Sequence, residues 1–114
     1  MNYTLSQNGD VEVLQVNTLF NELENQKILQ AAFARIAEGF TTFVLDLEKL
    51  EFMNSVGLSF MIILERNIHA QNGQFAIANA NAQVFHLLKM TKLHNHFTLA
   101  DNVDEAINAI HIKS

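Results

Sequence analysis

Hydrophobic positions change their period several times along the chain, and each change marks an element. Residues 3–7 alternate weakly, Asn8-Gly9-Asp10 carries strong turn chemistry, and Val11, Val13, Leu14 and Val16 supply a second run. A β-hairpin is predicted there. Between Glu22 and Glu38, Leu23, Ile28, Leu29, Ala32, Phe33, Ile36 and Ala37 recur at three-to-four-residue spacing, and Gly39 follows. That spacing predicts an amphipathic helix with one core face and a glycine stop. Thr42-Phe43-Val44-Leu45-Asp46-Leu47 is a short β-branched and apolar run, as expected of a central strand buried on both faces.

Asn54 and Ser55 are both good N-cap residues, and Leu58 to Ala70 reads as a second helix closed by Asn72-Gly73. Its centre, Phe60-Met61-Ile62-Ile63-Leu64, is apolar over more than the ~100° arc that one sheet can cover. Either the third helix buries the excess or part of it is a docking face. Phe60 or Met61 is expected to be partly exposed, because adaptable Met-rich surfaces suit partner sites. Gln74 to Ala78 reads as a strand, Gln83 to Met90 as a third helix with Val84, Leu87 and Leu88 inward, and Phe97-Thr98-Leu99 as a last strand. Asp101-Asn102 then caps a helix whose stripe is Val103, Ala106, Ile107 and Ile110. The order β-β-α-β-α-β-α-β-α predicts an α/β fold, a mixed sheet of four to five strands with right-handed crossovers and about four helices.

Composition narrows the function more than the fold. The 114 residues suit one domain, 1–114. Apolar residues at 49% and charged residues at 17% are a globular balance. Seven Lys and Arg, scattered singly against twelve Asp and Glu, leave a net charge of -5. No nucleic-acid partner is expected, since phosphate binding needs a clustered basic patch. The absence of cysteine excludes thiolate metal sites, disulfides and a thiol nucleophile. Residues 1–10 lack the basic segment and apolar run of a secretory signal, and no apolar stretch nears the ~20 residues that span a bilayer. A soluble, cytoplasmic domain is the expectation.

No set of residues assembles into a catalytic constellation. The four glycines, at 9, 39, 57 and 73, are too far apart to cradle a phosphate. Asp46 ends a strand, as the phosphoacceptor of receiver domains does, but Val13-Leu14-Gln15-Val16-Asn17 offers no acidic pair for magnesium. His94 and His96 alternate along a possible strand entry, yet two imidazoles without a third ligand read as surface residues. Glu65 and His69, one helical turn apart, read as a solvated-face pair. No cofactor, metal or enzymatic activity is expected.

Phe43-Val44-Leu45-Asp46-Leu47, followed by Leu50-Glu51-Phe52-Met53-Asn54-Ser55-Val56-Gly57-Leu58, resembles the signature of the STAS family: an apolar strand ending in Asp, a short loop, then Asp-Ser-Ser-Gly-Leu opening a helix. Phe75 to Asn79, Val84 to Leu93 and Asp104 to Ile107 continue the likeness, which is weakest over the first forty residues. Within that family the chain resembles bacterial anti-sigma factor antagonists. In these, the resemblance implies, an anti-sigma factor that is also a serine kinase docks on the loop and helix start and phosphorylates a serine there, breaking the complex.

By that resemblance the partner-binding residues are Phe52, Met53, Asn54, Ser55, Val56, Gly57 and Leu58, with Phe60 and Met61 on the adjoining helix. Here Asn54 replaces the family's aspartate, and Val56 stands where the phosphoacceptor serine would be. Three readings stay open. Ser55 takes over as phosphoacceptor, Val56 fixes a constitutively docking state, or the domain never uses phosphorylation and serves a transport complex such as a lipid-transport ATPase. Against these stands a purely structural reading: Asn54 and Ser55 simply cap a helix, and Gly57 simply lets it pack closely.

Overall fold

The structure, a computed structural model, describes residues 2–113, with side chains through residue 111. The elements are β1 Tyr3–Asn8, β2 Val11–Val16, α1 Glu22–Ala37, β3 Thr42–Asp46, α2 Ser55–Ala70, β4 Gln74–Ala78, α3 Ala82–Met90, β5 Thr98–Ala100 and α4 Val103–Lys113. The five strands lie in the order β1-β2-β3-β4-β5, with β1 antiparallel to β2 and every later pair parallel. This is the expected α/β architecture: a mixed five-stranded sheet with four helices.

Strand alternation sorts the core into two layers. Leu14, Val16, Phe43, Leu45, Phe75 and Ile77 point to one face and join Ile28, Leu64 and Val84 of the three crossover helices. Val11, Val44, Ala76 and Ala78 point to the other face, where only α4 packs, through Ala106 and Ile110. Crossovers of one hand between strands added in one direction put α1, α2 and α3 together on one side. The small side chains of Ala76 and Ala78 suit the single helix on the other.

All four helices begin on asparagine. The side chains of Asn21, Asn54, Asn81 and Asn102 accept backbone N–H groups of Glu24, Val56, Val84 and Glu105. Each such cap stabilises a helix by about 1 kcal/mol and fixes its first residue. Asn54 therefore starts α2 at Ser55, three residues before the apolar run begins. Gly73 does not supply the positive φ after α2; Asn72 does, at 59°. Gly73 is small because a Cβ there would overlap the Thr41 carbonyl oxygen.

Four sequence expectations require correction. Phe60 and Met61 are both buried, because α1 lies along α2 and covers the flank that the sheet cannot reach; Ile63 is the residue left outward. Leu23 is exposed, so the core face of α1 is narrower than its apolar spacing suggested. His94 lies on a 3₁₀ turn, Leu93–Asn95, and packs edge-on against Phe85, whereas His96 reaches Glu65 at 2.7 Å. The two histidines thus do not share a strand face. Glu65 is buried against His96 and is not part of a solvated pair with His69.

One ion pair ties α1 to the sheet. Glu12 of β2 is 1% exposed, and Arg35 donates to it through Nε at 2.6 Å and to Glu38 through Nη1 at 2.6 Å, while its guanidinium lies over the Phe40 ring. The hydrogen bond to Glu12 raises the Arg35 guanidinium above its ordinary value, so the cation is present at every practical pH. Removing the arginine strands a buried carboxylate, which costs more than removing both charges together. Arg35→Met is therefore expected to lower the melting temperature more than the Glu12→Gln/Arg35→Met double variant does. Equal losses in thermal denaturation would contradict this coupling.

Candidate functional site

The loop from Leu47 to Asn54 leaves the C-terminal end of β3, where it is held by its neighbours on both sides. The Asp46 carboxylate is 6% exposed and accepts from Gln15 Nε2 at 2.9 Å, Asn79 Nδ2 at 2.8 Å and the Glu48 N–H at 3.1 Å. Three strand ends are thereby gathered around one anion. Farther along, the start of α3 grips the loop. Asn81 Nδ2 donates to the carbonyls of Leu50 and Glu51, and Gln83 both donates to the Met53 carbonyl and accepts its N–H at 2.9 Å.

With its backbone clamped, Met53 turns its side chain inward and is 1% exposed. It lies across Gly57, where a Cβ would overlap Met53 Cγ and come within 3.3 Å of Leu19 Cβ. The smallness of Gly57 is thus required by internal packing. Leu58, Phe60 and Met61 are buried as well.

Within residues 52–58, those that meet solvent are Phe52, Ser55 and, in part, Asn54 and Val56. Phe52 is 49% exposed and stacks against Phe20, 48% exposed, with ring centroids 5.8 Å apart. Ser55 is the first residue of α2 and is exposed, while the Val56 side chain borders a groove between α1 and α2. Phe20 escaped the sequence reading. The available signal was an aromatic residue in the polar stretch Asn17 to Asn21, beyond the alternation of β2. Gln83 gave no signal, because a glutamine in the first turn of a helix is ordinary.

Chemically, this surface offers an apolar aromatic pair, one hydroxyl and the N-terminus of a helix. Among the described residues no group of three or more His, Asp or Glu side chains is placed to hold a metal ion, and no helix is long and apolar enough to cross a membrane. Gly57→Ala, which intrinsic propensity alone would favour by up to ~1 kcal/mol, is expected instead to destabilise by about 1–3 kcal/mol through overpacking on Met53. Urea denaturation reads the sign directly, and a gain in stability would contradict the packing described.

The fold is shared with known proteins. A curated anti-sigma F factor antagonist of Paenibacillus polymyxa is 31% identical over 71 residues, a match spanning 62% of this chain and 61% of that protein. A crystal structure from Thermotoga maritima, described as an anti-sigma factor antagonist, superposes with a TM-score of 0.87 at 22% identity, covering 96% of this chain and 94% of the other. An anti-sigma factor antagonist from Mycobacterium paratuberculosis gives 0.82 at 23% identity, over 96% and 92% of the two chains. The family model of the STAS domain matches residues 2–106, nearly the whole chain, and the protein therefore belongs to the STAS domain family.

Proposed function

We propose that this domain is a regulator of the anti-sigma factor antagonist kind that docks an anti-sigma factor kinase through Phe52, Ser55 and Val56 and is not released by phosphorylation at the usual position. The observation that carries this reading is the half-buried Val56 on the first turn of α2, where antagonists of this family present a serine. Valine accepts no phosphate, and its apolar side chain adds to the apolar surface offered by Phe20 and Phe52.

In the family's switch, a phosphate of charge near -2 enters an interface that cannot solvate it. The helix N-terminus itself tolerates an anion well, so the disruption arises on the partner's side. Without a hydroxyl at residue 56, the docked state persists for as long as both proteins are present. Ser55 is accessible on the same turn and points from a different position, so a kinase aligned on residue 56 does not reach it.

Two substitutions test the reading against the kinase that co-purifies with the tagged protein. Val56→Asp places an uncompensated charge in the interface and is expected to weaken binding by at least ~2 kcal/mol, more than tenfold in Kd by titration calorimetry. Val56→Ser is expected to restore a phosphoacceptor and to incorporate phosphate from ATP. Unchanged affinity of Val56→Asp would remove Val56 from the interface. Recovery of a transport ATPase in place of a kinase would overturn the sigma-factor reading.

A further inference from the structure

Two asparagine–glycine pairs stand in the chain, Asn8-Gly9 and Asn72-Gly73. In such a pair the backbone nitrogen of the glycine can attack the side-chain carbonyl carbon of the asparagine, because no Cβ on the glycine obstructs the approach. Both asparagines are exposed, yet the fold holds the two nitrogens very differently.

Asn72-Gly73 closes α2. Asn72 adopts a φ of 59°, its N–H donates to the His69 carbonyl at 2.9 Å, and the Gly73 N–H donates to the Ile68 carbonyl at 2.9 Å. In this helix ending a left-handed residue lets two successive N–H groups satisfy two of the last carbonyls. Gly73 also lies so close to Thr41 that a Cβ would overlap its carbonyl oxygen, and that oxygen accepts from the Gln74 N–H at 3.0 Å. Swinging the Gly73 nitrogen onto the Asn72 side chain therefore requires the end of α2 and the start of β4 to open together.

Asn8-Gly9 lies at the tip of the β1–β2 hairpin. Asn8 pairs with Val11, so Gly9 and Asp10 form a two-residue turn, and the φ of 66° at Gly9, the first of the two, is that of a type II′ turn. The Gly9 nitrogen falls outside the strand ladder, a Cβ at Gly9 would meet nothing within 4 Å, and residues 6–10 are all exposed. β1 is an edge strand paired with β2 alone, and the exposed end of such a hairpin opens at little cost.

We propose that Asn8 is a site of spontaneous deamidation and that the fold protects Asn72 from the same chemistry. The Gly9 nitrogen gives its proton to solvent base and bonds to Asn8 Cγ, and the side-chain nitrogen leaves as ammonia, closing a succinimide ring. Water then adds to one of the two ring carbonyls and breaks its bond to the Gly9 nitrogen. Cleavage at Cγ leaves aspartate; cleavage at the backbone carbonyl leaves isoaspartate, whose main chain runs through the former side chain. Either product adds one negative charge to a net charge of -5. Isoaspartate also lengthens a turn that sets the register of β1 on β2. The tip precedes β2, at the opposite end of the sheet from the loop that follows β3, so the modification is independent of docking through Phe52 and Val56.

The full-length protein, held in warm and mildly alkaline buffer with and without urea, is sampled over time by peptide mass mapping and by labelling with isoaspartyl methyltransferase. In the folded protein, conversion at Asn8 is expected to run at least about tenfold faster than at Asn72, the ratio set by ~1.4 kcal/mol of local opening. In urea the two sites should convert at similar rates, and Asn8→Gln should remove the label from the folded protein. Asn72 keeping pace with Asn8 in the folded state, or Asn8 staying intact for as long as Asn72, would overturn the assignment. A slow Asn72 in urea as well would overturn protection by the fold.

Discussion

The Asp46 carboxylate is the contact on which the path of the loop from β3 to α2 depends. It closes β3 beneath the surface, and its three donors come from β2, from the turn after β4 and from the first residues of the loop it launches. A buried carboxylate must be met by donors or be expelled. The three strand ends that supply them are therefore held at one height, and the loop leaves in one direction. Asn79 adopts a positive φ of 61°, at which its amide reaches Asp46. The clamp of Asn81 and Gln83 on residues 50–53 then fixes the rest of the path. Ser55 and Val56 follow this clamped path directly, on the first turn of α2.

That path divides the loop into residues that hold it and residues that show. Met53, Gly57, Leu58, Phe60 and Met61 lie inside and shape the surface without forming it. Phe52 and Val56 lie outward, joined by Phe20 from the β2–α1 connection. Exposed aromatic pairs are costly in solvent and are favoured where another surface covers them. Glu51 precedes Phe52 and Glu22 lies two residues after Phe20, both exposed, so the aromatic pair is flanked by negative charge.

Elements governed by local rules were legible in the sequence. Alternating or short apolar runs located the strands, three-to-four spacing located the helices, and the caps at Asn54 and Asn102 located the starts of two of them. What stayed hidden required knowledge of which elements become neighbours. The apolar excess of α2 could not be assigned to α1 without the packing of the two helices, so Phe60 or Met61 was expected to be partly exposed, and both are buried. Glu65 resembled a solvated helix residue until His96 was placed against it from thirty-one positions away. The clamp of Gln83 on Met53, thirty positions apart, likewise has no local pattern. The signature loop was recognisable because all its parts are contiguous, and Phe20 was overlooked because it reaches that loop only through the fold.

In the proposed reading, a serine at residue 56 would make binding reversible through ATP, and the valine found there leaves it a matter of concentration and affinity alone. The most direct measurement is the stability of the wild-type complex with its co-purified kinase during incubation with magnesium and ATP, followed by size-exclusion chromatography and intact-mass analysis of the antagonist. The account predicts that the complex survives and that the antagonist gains no phosphate. Release of the antagonist with one phosphate on Ser55 would contradict it, by showing that the switch has moved one residue along the helix start and has not been lost.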